Sequence, residues 1–374
     1  MRILAVIESG LGTQVMGHGR FGSALEAGLG RRGDIDLRVV ALPPLAGISE
    51  RMVRDVRVLS RFDMDAKALR WHGIQSLRVR RIVDRELRRA GADVVIVLSH
   101  TVGLALHRLS NGPAVVLVAD AAVWEWRAMA VWRALGRWSH ASMTGSLALE
   151  RRALQRAACV IAWSDWTRTG LARQAPGANF VTLHPGLDLD RYRPAPRDRR
   201  IRPRVLFVGG RFSLKGGYDL LAALEPILGH GVDLDIVSPE RIAPRAGVQQ
   251  HRLDADSPEL IALYQQADLL CLPSRGEAVP WVVLEALACG TPVVATGVGA
   301  IPEMLSGHPP AGVLVPIGEP TILRETILEL LGDSQRRAEM GASGRAMCER
   351  RYDANIQTKH LLDTLSRAVR GRAS

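Results

Sequence analysis

Short apolar runs rich in β-branched residues recur along the chain at residues 3–7, 37–42, 94–98, 115–118 and 160–163, and each reads as a strand. Between them the apolar positions fall at helical spacing, most clearly around 21–31 and 77–89. A proline- and arginine-rich stretch at 191–204 has no apolar periodicity and reads as a linker. The alternation then restarts, with strands expected at 205–208, 234–237, 269–272, 292–295 and 312–315. Apolar strands alternating with helices indicate parallel sheets covered on both faces. The expected architecture is therefore α/β, with a domain at 1–190, the linker, and a second domain at 205–351. Two such units would leave a cleft between them, where folds of this kind bind ligands.

Composition supports two soluble domains: 374 residues, 47% hydrophobic and 23% charged. Residues 1–7 carry one basic residue and lead into Glu8, which suits a buried first strand better than a secretion signal. No apolar run approaches the roughly 20 residues of a membrane span. Cys159, Cys271, Cys289 and Cys348 lack metal-ligand spacing and read as reduced thiols of a cytoplasmic protein. The whole formal excess of +11 lies in residues 1–193, while the remainder is balanced. That asymmetry fits an anionic partner for the first half, either a membrane surface, a phosphorylated acceptor or a nucleic acid. An arginine-rich composition without a special partner is the plain alternative.

A nicotinamide-dinucleotide site is excluded twice. Gly10 and Gly12 begin such a fingerprint, but the third glycine is missing, and residues 37–42 run into Pro43 and Pro44 instead of an acidic residue. The segment 267–303 (ADLLCLPSRGEAVPWVVLEALACGTPVVATGVGAIPE) carries more chemistry. A buried strand ends at Pro273 and Ser274, a turn delivers Glu277, and a helix beginning near Pro280 carries Glu285. Two carboxylates so placed reach different parts of one elongated ligand. The helix N-terminus between them favours a phosphate. Asp-x-Asp pairs occur at 34/36, 63/65, 188/190, 233/235 and 254/256, a scatter that chance and helix caps produce, so no metal is expected.

The 267–303 segment resembles the Glu-x7-Glu signature of retaining GT-B glycosyltransferases, in particular glycosyltransferase family 4 (glycosyl transferases group 1). Residues 208–217 (VGGRFSLKGG) resemble that family's phosphate-binding loop, 184–194 (HPGLDLDRYRP) its domain-joining stretch, and 312–316 (GVLVP) its late strand. The resemblance covers nearly the whole chain, most specifically 149–305. It implies a GT-B fold of two Rossmann-like domains whose parallel sheets face each other across a cleft, with a last helix, about 352–374, returning to the first domain. It also implies a UDP- or GDP-sugar donor bound by the second domain, no cofactor, and retention of anomeric configuration.

On that reading Arg211 and Lys215 neutralise the diphosphate without metal, Arg as a bidentate fork and Lys as a point charge. Gly209, Gly210, Gly216 and Gly217 would let the backbone approach. Glu285 would hold the ribose, and Glu277, with the backbone amides near Ala278, Val279 and Pro280, the transferred sugar. The glycine-rich loop 10–22 would add amides from Gly17 and Gly19 and place His18 near the acceptor. One departure stands out: relatives carry a His-Asp pair after a strand, and here Ala119 precedes Asp120. Asp120 remains as a ligand for a hydroxyl, and His100, at another strand end, is the candidate substitute. Arg211, Lys215, Glu277, Asp120 and His100 form the expected catalytic set. The likelier chemistry is front-side attack, with the enzyme positioning the reactants and stabilising the leaving diphosphate.

For the acceptor, Trp124, Trp126 and Trp132 lie among Arg127 and Arg133, and 78–89 is strongly cationic. Three readings stand: a peripheral anionic-membrane anchor at the inner face of the plasma membrane, an aromatic wall for a bulky acceptor, or packing on the domain core. The acceptor classes are a membrane-associated glycolipid, lipopolysaccharide or polysaccharide precursor, or alternatively a soluble cyclitol or natural-product aglycone. A sugar-nucleotide epimerase and a non-catalytic sugar-nucleotide binder are the competing functions. Nucleic acid is not expected, since no recognised module accompanies the charge.

Overall fold

The computed structural model of the chain describes residues 1–8, 16–30, 33–45, 47–53, 67–109, 112–128, 137–198 and 200–373. Two compact units emerge, one of Met1–Gly186 with the C-terminal helix from Asn355, the other of Leu187–Ala354.

Among the described residues each unit holds one six-stranded parallel sheet. The first contains β1 (Arg2–Glu8), β2 (Asp36–Leu42), β3 (Val94–Val97), β4 (Ala114–Ala119), β5 (Cys159–Ala162) and β6 (Phe180–Thr182), in the order β2-β1-β3-β4-β5-β6. The second contains β7 (Arg204–Val208), β8 (Asp233–Val237), β9 (Val248–His251), β10 (Leu269–Leu272), β11 (Val293–Thr296) and β12 (Gly312–Val315), in the order β12-β11-β10-β7-β8-β9. The chain reverses its direction of travel between β1 and β3, and again between β7 and β10, the switch points where open α/β sheets bind ligands.

Sequence explains the central strands. VVIV of β3, CVIA of β5 and LLCL of β10 are buried at every position, as strands covered on both faces must be. Helix starts follow local chemistry as well. Ser164 Oγ accepts from Thr167 N to cap Asp165–Gln174, and Ser257 caps Pro258–Gln266, with Pro258 opening the helix. Burial pushes the unpaired thiols of Cys289 and Cys348 up to about 12, the state of inert core cysteines.

Two features differ from the sequence reading. The stretch 191–204 is fastened to the second unit instead of hanging between domains. Tyr192 is buried, Arg197 donates to the carbonyls of Gln265 and Gly290, and Arg200 to that of Gln266. The arginines that broke apolar periodicity are the residues that tie it down. The crossing falls earlier, at Gly186–Leu187. The first helix also starts earlier, spanning Met16–Leu29, so Gly17, His18 and Gly19 lie in its opening turns and not in a preceding loop. Glycine is tolerated there because the first turn makes few intrahelical bonds.

Candidate functional site

In the second unit the carboxyl ends of β7 and β10 carry the charged residues singled out above. After β7 the chain turns through Gly209 and Gly210 and enters the helix Gly217–Leu224 with Gly216 at φ +76°. A Cβ on Gly216 would stand 2.0 Å from the Pro273 carbonyl oxygen, so only glycine fits between this loop and the end of β10. Arg275 N donates to Leu214 O at 3.0 Å and completes the seam. The seam brings Lys215 to Glu277: Nζ lies 2.5 Å from Oε2.

Glu277 is 5% exposed, and its second oxygen, Oε1, is buried without a hydrogen-bond partner. Its loop is backed by Gly299, at φ +60°, where a Cβ would stand 2.3 Å from Glu277 O. Ala300 N holds Ala278 O at 2.9 Å. Ala278 and Val279 are buried, and Pro280 precedes the helix Trp281–Ala288 without a side-chain cap. Glu285, in that helix, is fully buried and accepts from Tyr264 OH at 2.5 Å. Tyr264 was not singled out from the sequence, because a tyrosine in an apolar helix stretch reads as core. Arg211 is exposed on the same loop as Lys215, and a Cβ on Gly210 would meet nothing within 4 Å. The structure thus brings Lys215 and Glu277 into contact, with Gly210 and Arg211 on the adjoining loop and Glu285 a little over one turn into the following helix.

The first unit places its candidates differently. His18 is buried, not exposed, with its ring 4.7 Å from that of Trp163 and Nε2 3.7 Å from Asp120 Oδ2. Burial holds its pKa below the usual histidine range. His100 is corrected to a core residue: it is 1% exposed and Nε2 lies 2.8 Å from Glu150 Oε1, itself fully buried. Of the three readings for the tryptophan segment, Trp124 itself takes the one of packing on the domain core. It packs against the first core, and its indole N–H donates to Gly170 O at 3.1 Å. Trp126 and Arg127 fall in the helix Val123–Ala128, their side chains outside the described residues, as are Trp132 and Arg133 entirely. Among the described residues no group of three or more His, Cys, Asp or Glu is placed to hold a metal ion, and no helix is long and apolar enough to cross a membrane.

Beside His100 lies a set of buried titratable groups that the sequence did not reveal. Burial first, then the neighbouring Glu150 and Asp120, push Glu125 up to about 7 against the opposing hydrogen bond from Ala122 N. A carboxyl raised on folding is bound to its proton more tightly in the native state, so its contribution is complete below the ordinary carboxylate range and is lost as pH rises through about 7. Glu125→Gln should therefore stabilise the protein more at pH 8 than at pH 5, by roughly 2–3 kcal/mol. Melting curves of the two proteins at both pH values measure the difference, and a gap that stays constant would refute the assignment.

Comparison with known proteins places these features. Residues 202–333 match the family model described as "Glycosyl transferases group 1". A D-inositol 3-phosphate glycosyltransferase of Xylanimonas cellulosilytica is 31% identical over 226 residues, covering 52% of this chain and 54% of that protein. The chain spans about half the length of the curated relatives it matches. Among solved structures, sucrose-phosphate synthase from Thermosynechococcus elongatus superposes with a TM-score of 0.74 at 19% identity, covering 98% of this chain and 100% of that one. Anabaena HepE in complex with UDP-glucose superposes with a TM-score of 0.66 at 19% identity, covering 98% and 99%.

Proposed function

We propose that this chain, a GT-B protein whose second unit carries the group 1 glycosyltransferase domain, transfers a sugar from a nucleotide-diphosphate donor to an acceptor hydroxyl. The observation that carries the reading is the Lys215–Glu277 contact, with Glu277 Oε1 left buried and unpartnered, ahead of the uncapped helix Trp281–Ala288. A buried carboxylate oxygen without a partner costs about 1–3 kcal/mol, which a sugar hydroxyl would offset. In this reading Lys215 and Arg211 meet the diphosphate, the uncapped amides add their partial positive charge, and Glu285, steadied by Tyr264, holds the ribose. UDP is the favoured nucleotide, since the similar HepE fold binds UDP-glucose.

The reaction is taken to retain anomeric configuration. The acceptor hydroxyl attacks on the face the nucleotide leaves, and its proton passes to the departing phosphate oxygen. Lys215 and Arg211 stabilise the charge that grows there, so no metal step is needed in this reading. The acceptor is taken to be a soluble small molecule of cyclitol type, since the curated relatives are named for inositol 3-phosphate, a cyclitol phosphate. A second reading, an acceptor presented at an anionic lipid surface, draws on the helix Lys67–Ala90, where Leu77, Arg81, Arg85 and Arg88 are exposed along one stripe.

A thermal-shift panel of UDP, GDP and their glucose esters tests the donor. A ligand at 100 times its Kd adds about 2.7 kcal/mol to stability. UDP and UDP-glucose should raise the Tm and GDP should not. A panel without any shift would sink the transferase reading. Sedimentation with phosphatidylserine vesicles separates the two acceptor readings, since only the second expects the protein in the pellet.

A further inference from the structure

Glu285 is held by a residue from a different helix. Tyr264 lies in the last turn of Pro258–Gln266 and Glu285 in the middle of Trp281–Ala288, and both are fully buried. The phenol donates to Glu285 Oε2 at 2.5 Å. At its other end Tyr264 is fixed as firmly. Asp268 N, which would continue the helical ladder onto the Tyr264 carbonyl, bonds instead to Arg204 O at 2.8 Å. The carbonyl so released is one of those that a helix end leaves without an intrahelical partner, and it accepts from Thr291 Oγ1 at 2.6 Å. Thr291 stands just beyond the far end of the helix that carries Glu285, and its own N–H returns to Ala286 O at 2.9 Å. Arg197 donates to Thr291 Oγ1 and to Gly290 O. The helix that carries Glu285 therefore grips Tyr264 at both hydroxyl and backbone.

Packing does not explain the hydroxyl. In the apolar run Leu260–Tyr264 a phenylalanine would fill the same space, whereas a buried phenol costs stability unless it is bonded. What the hydroxyl adds is orientation. A carboxylate has about four lone-pair positions, and a bond to one oxygen from a rigid, doubly anchored ring sets the plane in which the others lie. Two vicinal hydroxyls present two donors at one separation, and they match a carboxylate whose plane is set. Resting on the transferase reading, in which Glu285 holds the ribose, we infer that Tyr264 is the positioning residue that makes the donor site selective for a ribonucleotide over its deoxy analogues. A donor that lacks one hydroxyl leaves part of a buried carboxylate unpaired, and the pinned side chain cannot turn to find a substitute. A carboxylate freed from the phenol can turn, and it tolerates the loss.

The experiment is isothermal titration of the full chain with UDP, 2′-deoxy-UDP and 3′-deoxy-UDP. The wild type should bind UDP about 30-fold more tightly than either deoxy nucleotide, the scale of one hydrogen bond to a charged group. Tyr264→Phe should reduce both ratios to about threefold or less, while the affinity for the deoxy nucleotides changes by less than about threefold. Glu285→Gln should lose the same preference, and the double variant no more than either single one, as two residues acting through one carboxylate must. Thr291→Val releases the backbone end of Tyr264 and should shift the ratios the same way by a smaller amount, which keeps the test open if the phenylalanine variant does not fold. Denaturant midpoints without nucleotide report folding. A merely structural tyrosine would weaken all three nucleotides in parallel. That parallel loss, a preference untouched by Tyr264→Phe, or a wild type that binds UDP and its deoxy analogues equally would each overturn the inference. A wild type that binds no UDP would instead remove the transferase reading on which it rests.

Discussion

Lys215→Ala is expected to weaken UDP binding by about 10- to 150-fold, the equivalent of roughly 1.5–3 kcal/mol for a charge-assisted contact to the diphosphate. The same change should lower the stability of the nucleotide-free protein. Glu277 is 5% exposed and Lys215 Nζ is the group 2.5 Å from its Oε2, so the variant leaves a buried carboxylate without its cation. Removing one partner of a fully buried pair costs about 3–5 kcal/mol. With a quarter of the lysine side chain exposed, the loss should fall near the lower end or below it. The two effects separate in the double variant Lys215→Ala/Glu277→Gln, which should recover nucleotide-free stability without recovering UDP affinity. Isothermal titration with UDP and denaturant unfolding of both variants measure them. UDP affinity within twofold of wild type in Lys215→Ala would remove the diphosphate role from this residue.

The second large effect concerns backbone and not charge. Gly216→Ala forces a Cβ to within 2.0 Å of Pro273 O at a φ of +76°, where both the contact and the backbone conformation oppose it. The expected loss is at least about 3 kcal/mol, combining the left-handed penalty with displacement of a carbonyl at the end of β10. Gly210→Ala is the matched control, because its Cβ meets nothing within 4 Å. It should change stability by less than about 0.5 kcal/mol while reducing UDP affinity if the donor approaches the backbone there. Similar unfolding midpoints for the two variants would show that the loop does not depend on Gly216.

The ten strands expected from apolar runs all occur, two of them, Leu269–Leu272 and Gly312–Val315, with the expected ends. They were legible because strands buried on both faces must be continuously apolar. β6 (Phe180–Thr182) and β9 (Val248–His251) were not, since edge strands are short and half-exposed and VQQH carries no such run. On the site, the spacing of Glu277 and Glu285 pointed to one ligand and the family resemblance added Lys215, but the direct contact of Lys215 with Glu277 depends on the Gly216–Pro273 seam, a long-range packing fact. The places of His100 and Trp124 were not legible, because residue type and strand-end position say nothing about a buried partner. Glu150 and the Gly170 carbonyl, which satisfy them, come from helices distant in sequence.

The crossing points carry a consequence for how the molecule is made. Leu187 N bonds to Tyr352 O, and Ala354 N to Leu187 O, so the chain enters and leaves the second unit side by side. The second unit is in effect an insertion within the first. The inserted unit is contiguous in sequence and is complete once Ala354 has left the ribosome. The first unit is not, because the last helix belongs to it: Leu361 and Leu365 are buried, and Gly28 lies against Thr358. At about 5–20 residues per second, the segment from 1 to 186 waits on the order of ten seconds or more for that helix. The half that is synthesised first is thus the half that finishes folding last, with its apolar seat for the final helix exposed in the interval.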